Sequence, residues 1–281
     1  MTRTGEVPVR TGLNLIGLPL APDSVVTARA WAEQAEASTV IQWNASTQTF
    51  DPFVPDFHTG AGFALRGGEG YLMTGLATKT VTVGGQGWLG SEEEPRPGEG
   101  NLTASANAGD STPLLAVAGK VVQRVRSEIL PLDRGCVAVV TNERTGSVTR
   151  VPVHAGSGGF SGAFLDLSNQ APTRVGDGLR VQVELEGGAV LPQQAEYRVT
   201  AEDVARKWAR FGDLAVVVPP RVSLVEQNFP NPLRRQATIR YQLAAKGDVS
   251  LKVYGVDGRL VRTVIDQPLD AGYYDAITAV R

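Results

Sequence analysis

The stretch Val137-Ala-Val-Val-Thr-Asn-Glu-Arg-Thr-Gly-Ser-Val-Thr-Arg-Val-Pro-Val153 decides the fold. Its two arms are rich in β-branched residues, which suit a pleated, half-buried surface. Between them Arg144-Thr-Gly146 is hairpin chemistry, because Gly146 can take a positive φ without a Cβ clash. A glycine turn at Gly156–Gly159 then leads into Phe160-Ser-Gly-Ala-Phe164, which reads as a third strand. The same alternation of apolar run and turn recurs at Leu13–Leu18, Thr78–Val83, Val121–Val125, Leu179–Leu185, Thr238–Leu243, Val249–Tyr254 and Leu260–Ile265. Short strands at such spacing predict an all-β chain of tandem β-sandwich modules.

Helical signals are few. In Ser24–Glu36, Asp23 or Ser24 can cap, and Val25, Ala28, Ala32 and Ala35 trace a stripe. In Ala201–Phe211, Thr200 as N-cap and Asp203 three residues on form a capping-box start. Val204, Trp208 and Phe211 fall at i, i+4 and i+7, so Trp208 is expected to be buried. One or two short helices therefore accompany the strands.

Composition narrows the function. Among 281 residues, 27 are basic and 29 acidic, giving a formal charge of -2. That balance lacks the positive field that phosphate backbones or anionic lipid surfaces require, so nucleic acid is not an expected partner. One cysteine, Cys136, excludes an internal disulfide or a Cys-based zinc site, and two histidines, His58 and His154, leave little for metal ligation. No cofactor is expected. Gly and Pro together make 49 residues, an excess that reads as many turns. No run approaches the ~18–20 apolar residues of a membrane span, and the start Met1–Arg10 lacks the apolar core of a signal peptide.

Two breaks divide the chain. Ser91–Leu114 combines Glu92-Glu-Glu94, Pro95 and Pro97 with a small polar run, which predicts a linker centred on residues 98–113. Pro219-Pro220 cannot sit in a central strand, since it lacks two backbone donors. Modules are thus expected at 1–97, 114–218 and 221–281.

In the third module Pro230 and Pro232 hold an extended lead-in, Asn228 and Asn231 can close Asx-turns, and Ile239, Tyr241 and Leu243 alternate onto one face. Val249–Tyr254, a turn around Asp257-Gly258 and Leu260–Ile265 form a hairpin, and Gly272-Tyr-Tyr274 opens a further strand. The ordered set Gln227-Asn-Phe-Pro-Asn-Pro232, Ala237-Thr-Ile-Arg-Tyr241, Val249-Ser-Leu-Lys-Val-Tyr254, Asp257-Gly-Arg259 and Ala271-Gly-Tyr273 resembles the C-terminal sorting domain of type IX secretion cargo. That domain is related to the Ig-like module of flagellar hook-capping proteins. The resemblance implies an Ig-like fold, export across the outer membrane, attachment to or release from the cell surface, and the secretion and sorting machinery as partner. It assigns the sorting role to Gln227, Asn228, Phe229, Pro230, Asn231, Pro232, Asp257, Gly258, Arg259, Gly272 and Tyr273. The family continues with a Trp-Asp-Gly turn and a final strand pair, whereas Asp275-Ala-Ile-Thr-Ala-Val-Arg281 follows here. With the absent signal peptide, this leads to the expectation of a piece of a longer, exported protein whose third module lacks an edge.

The first module is similar to a repeat of large bacterial surface proteins with a "GWNLVGLP" strand. The matching residues are Gly12-Leu-Asn-Leu-Ile-Gly-Leu-Pro-Leu20, Ile41-Gln-Trp-Asn44 with Phe50-Asp-Pro-Phe53, Gly67-Gly-Glu-Gly-Tyr-Leu-Met73 and Thr80-Val-Thr-Val83, with Leu13 in place of the usual Trp. The second module resembles an Ig-like or carboxypeptidase-regulatory-like sandwich of the kind found in stalks.

No catalytic set is placed. Gly85-x-Gly87-x-x-Gly90 matches a dinucleotide fingerprint, but the acidic, proline-broken Ser91–Pro97 follows where a helix is needed. Phe160-Ser161-Gly162 lacks half of a nucleophile elbow. His154 reads as a turn histidine, His58 could pair with Asp56, and Cys136 reads as a buried small hydrophobe. Asp51, Asp56 and Glu92–Glu94 form no calcium loop. Trp43, Phe50, Phe53, Phe57 and Tyr71 concentrate aromatics; as core they are unremarkable, whereas Trp43, Phe53 and Tyr71 exposed in a row would stack a sugar. The expected function is a non-enzymatic stalk or adhesion scaffold, extracellular or on the outer cell surface, carrying a sorting module and contacting an extracellular glycan or protein. The alternative is an accessory, carbohydrate-binding region of an extracellular hydrolase.

Overall fold

A computed structural model describes residues 3–87, 110–231 except 167, 169 and 171, and 236–279. The chain is all-β, a set of separate sheets in sandwich arrangement, with two short helices among the described residues. It divides into two compact units. One takes Met1–Val121 and Asp133–Leu214, the other Val122–Leu132 and Ala215–Arg281. None of the helices among the described residues is long and apolar enough to cross a membrane.

In the first unit, Gly12–Gly17, Gly70–Gly75, Ala37–Asn44 and Thr49–Phe53 form an antiparallel sheet in that order. Both faces of this sheet are covered. On one face Val40, Phe53, Tyr71 and Met73 join Ile16 and Trp31 in a core closed by the helix Ala28–Ala35. On the other, Ile41 and Leu72 pack with Leu114 and Ala163, with Leu13, Phe50 and Leu165 at the margin. Residues on either side of the expected linker thus share one core. The expected linker itself falls largely outside the described residues, but Ser111–Thr112 pairs with Thr173–Arg174.

A second antiparallel sheet runs Val148–Val153, Cys136–Asn142, Gly178–Leu185, Val190–Arg198. Strict alternation along Cys136–Asn142 buries Cys136, Ala138, Val140 and Asn142, as a half-covered strand should. Leu114–Val125 pairs with Gly159–Leu165 and, in parallel, with Trp208–Arg210. Gly158, at φ 71°, makes the turn before Gly159 possible, because a Cβ there would lie 2.0 Å from the Val121 carbonyl oxygen.

Both helices differ from expectation at their ends. The first starts at Ala28, capped by Thr27, whose hydroxyl accepts from Ala30 N–H, and not by Asp23 or Ser24; Val25 is exposed. The second has the expected capping box of Thr200 and Asp203 but stops at Arg206, where Lys207 turns left-handed. Trp208 and Phe211 are buried as the stripe implied, yet Trp208 lies on a strand bound to Ala116 and not on a helix. Partnering with Ala116–Ala118 overrides the local periodicity.

In the second unit, Leu224–Val225, Gln236–Leu243 and Gly272–Ala279 form one antiparallel sheet, and Gly247–Tyr254 pairs with Leu260–Leu269 as the expected hairpin. Val122–Val125 pairs with Glu128–Leu130 around Arg126, which has φ 54°. Ala237, Tyr241 and Ala276 bury on one face of the three-stranded sheet.

Candidate functional site

A concavity among the described residues grows from the pairing of Ala37–Asn44 with Thr49–Phe53. Trp43 stands opposite Phe50, and Ile41 opposite Pro52, so all four share a face. That is the face carrying Ile41 into the core with Leu114 and Ala163. Two residues farther along, coverage ends, and Trp43 emerges 48% exposed. Phe50 braces it edge-to-face, with centroids 5.0 Å apart and planes at 64°. The intervening turn is held by Asn44 Oδ1, which accepts from Ser46 N–H, the Ser46 hydroxyl and Thr47 N–H at 3.1, 2.6 and 3.3 Å. Gln48 follows with φ 55°, and its Nε2 donates to the Ala45 carbonyl at 3.0 Å.

The opposite wall is built by Val148–Val153 and Gly159–Leu165. The buried Ser161 hydroxyl donates to the Pro52 carbonyl at 3.2 Å and ties the two walls together. Between them lies an open groove of about 750 Å³, reaching from Trp43, Gln48 and Phe50 to Val148, Thr149 and Phe164. Its charged lining residues are engaged within the protein. Arg150 Nη2 reaches Glu184 Oε2 at 2.5 Å, and Asp166 Oδ1 accepts from Ser168 N–H and its hydroxyl at 3.1 and 2.5 Å.

Of the three aromatics considered for stacking, the structure brings only Trp43 to the groove. Register places Phe53 opposite Val40 and Tyr71 opposite Ile16, both on the other face of the same sheet, and they are 3% and 1% exposed. The Tyr71 hydroxyl accepts from Arg66 N–H and donates to Glu69 Oε2, both at 2.7 Å, and burial pushes its pKa up. Phe53 stacks on His58 at 5.1 Å and lies under the Arg29 guanidinium at 5.3 Å.

The residues to which the resemblance assigns a sorting role fall within the second unit's part of the chain. Gln227, Phe229, Pro230 and Asn231 are exposed, Asn228 is half-buried, and Pro232 lies outside the described residues. Phe229 exchanges backbone hydrogen bonds with Thr238 at 2.9 and 2.8 Å, which docks the box on Gln236–Leu243 while its ring stays 79% exposed. Asn228 does not accept into an Asx-turn; its Nδ2 donates to the Pro230 carbonyl at 3.1 Å. The Asp257-Gly258-Arg259 turn closes the hairpin. Gly255 N–H donates to the Arg259 carbonyl at 2.9 Å, Gly258 has φ 76°, and Asp257 Oδ1 accepts from Arg259 N–H at 3.1 Å. Gly272 and Tyr273 pair with Leu243 and Gln242 on the strand that carries the box. Sequence reading missed Arg126, which reaches Glu226 at 3.1 Å and Asp275 at 2.7 Å; its partners are 100 or more positions away, and no local signal marks them.

The remaining candidates are engaged structurally. Cys136 is buried, and burial, aided by the negative charge of Glu186, raises its pKa to about 11, far from a reactive thiolate. Burial lowers the pKa of His58, whose Nδ1 accepts from Val54 N–H at 3.0 Å; its ring packs on Phe53 and Phe57 and is not paired with Asp56 as expected. His154 N–H donates to the Gly159 carbonyl in a hairpin turn. Asp51 accepts from Gln42 Nε2 at 3.2 Å. Gly85 sits inside the antiparallel strand Lys79–Gln86, not at a strand-to-helix turn, and Gly90 and Glu92–Glu94 lie outside the described residues. Among the described residues no group of three or more His, Cys, Asp or Glu side chains could hold a metal ion.

Asp177, which no local sequence signal marks, organises the hairpin turn at Asn142–Gly146. It accepts from Arg144 Nε and Nη2, Asn142 Nδ2 and Arg174 N–H at 2.5, 3.0, 2.9 and 3.0 Å. Burial alone would raise its pKa, but these donors outweigh burial and hold it below the ordinary carboxylate value. Comparison of the chain with protein-family models, with curated proteins and with solved structures finds no match.

Proposed function

We propose that the chain is a non-enzymatic β-sandwich scaffold exported to the outer cell surface, and that its second unit is the module read by the secretion and sorting machinery. A sorting signal must be folded and still legible from outside. The observation that carries the reading is Phe229, a large aromatic anchored through its backbone to Thr238 yet left largely in solvent. Burying such a side chain against a receptor is worth ~2–3 kcal/mol, which gives a reason for it to stand exposed between Asn228 and Pro230.

The test is delivery of the full chain, given a signal peptide and a C-terminally compatible reporter, in a type IX-competent cell and in one lacking the translocon. Surface reporter only in the competent cell, reduced several-fold by Phe229→Ala, is the expected result. Retention of the wild-type fusion in the periplasm of both cells overturns it. The second reading, an accessory region of an extracellular hydrolase, is favoured by the groove at Trp43 and is tested by whether a hydrolase domain shares the open reading frame.

A further inference from the structure

We propose that the groove at Trp43 binds a neutral oligosaccharide. The site lies on the first unit and is independent of the sorting reading. Its first element is a half-exposed indole whose orientation is set by strand pairing and by the edge of Phe50. A sugar ring presents a patch of C–H groups that packs on such a π-face. A ring held in place loses little conformational freedom when it does so.

The second element is the rim. Thr47, Gln48 and Thr49 on one side face Ser147 and Thr149 on the other, all uncharged hydroxyls and amides that can exchange hydrogen bonds with sugar hydroxyls. Gln48 is kept left-handed, an uncommon state for a residue other than glycine, in a turn fixed by Asn44.

Charge and edge chemistry select the occupant. With Arg150 engaged by Glu184 and Asp166 by Ser168, the groove has no unbalanced cation to attract a sulfated or phosphorylated chain. An extended peptide added as a strand needs a free edge of donors and acceptors. Of the edge strands that line the groove, Thr49–Phe53 and Val148–Val153 each carry a proline, Pro52 and Pro152, which lacks a backbone donor, and the Pro52 carbonyl is already taken by the Ser161 hydroxyl on Gly159–Leu165. The volume of about 750 Å³ lies in the range that encloses a multi-ring ligand.

The experiment titrates the full chain with cellohexaose, mannohexaose and chitohexaose, followed by calorimetry and tryptophan fluorescence, with a heparin hexasaccharide and an unstructured hexapeptide as comparison ligands. At least one neutral hexasaccharide is expected to bind with Kd below ~1 mM. Trp43→Ala should weaken it ~10-fold or more, Trp43→Tyr by only about 3-fold, and Gln48→Ala by about 3-fold, with unchanged unfolding midpoints. No neutral binding up to ~10 mM, equal binding by Trp43→Ala, or tighter binding of heparin or peptide each overturns the proposal. Because none of these readouts uses Phe229 or export, failure here and failure of the sorting reading are separable.

Discussion

Two strands with nearly the same sequence grammar have different fates. Cys136–Asn142, in the first unit, lies between two hydrogen-bonded neighbours and alternates buried with half-buried residues. Gly247–Tyr254, in the second, has one neighbour and alternates half-buried with exposed, and no residue of its hairpin is buried. At the turn end Tyr254, Val256, Leu260 and Val261 are all exposed. Alternation makes each a strand, whereas stability depends on what covers the apolar face, at about 25 cal/mol per Å². The first unit is therefore expected to be the more stable, and the hairpin of the second leaves apolar side chains in solvent.

Matched truncations should separate the units most. Trp31→Ala removes a fully buried ring whose Nε1 donates to Met73 Sδ, and should cost ~4 kcal/mol in urea denaturation followed by circular dichroism. Tyr254→Ala should stay within about 0.5 kcal/mol. Equal losses would break the comparison. With like residues, Leu179→Ala should cost about 3 kcal/mol and the half-buried Leu251→Ala about 1 kcal/mol. The described tryptophans Trp31, Trp43 and Trp208 lie in the first unit, so their fluorescence reads that unit, and hydrogen exchange along Gly247–Leu269 reads the other.

Asp177→Asn should cost roughly 2 kcal/mol at neutral pH, less than a fully buried pair because Arg144 is partly exposed. The same carboxylate predicts acid sensitivity. Its native pKa is depressed, so its contribution is complete above the unfolded value near 3.9 and is lost as pH falls through the native one. His58, also depressed, binds its proton more readily when unfolded, so stability should begin to decline below about pH 6.5. Acid titration by tryptophan fluorescence should show an early, small loss absent in His58→Gln and a later, larger one absent in Asp177→Asn. Thr200→Ala should cost about 1 kcal/mol from the lost cap, read by thermal unfolding.

Much of the fold is legible locally. Strand Val148–Val153, the hairpin around Asp257-Gly258 and the capping box at Thr200 announce themselves through alternation, turn residues and spacing. The end of the second helix does not, because the parallel partner of Trp208–Arg210 lies some 90 residues earlier at Ala116–Ala118. The candidate groove was half legible. Trp43, Phe53 and Tyr71 are equally aromatic in sequence, and only register shows that Trp43 takes one face and the other two its opposite.

By itself the sequence determined that this is a β chain of short strands and tight turns, with near-neutral charge and no disulfide, because those properties follow from residues a few positions apart. Tertiary structure alone decided which face of each strand is wet. It tied Asp177 to Arg144 and Ser161 to Pro52, and it left Trp43 at a groove while closing a core over Ile41. Those outcomes depend on partners brought together across 33 to 109 positions, and a period-two pattern carries no information about which partner arrives.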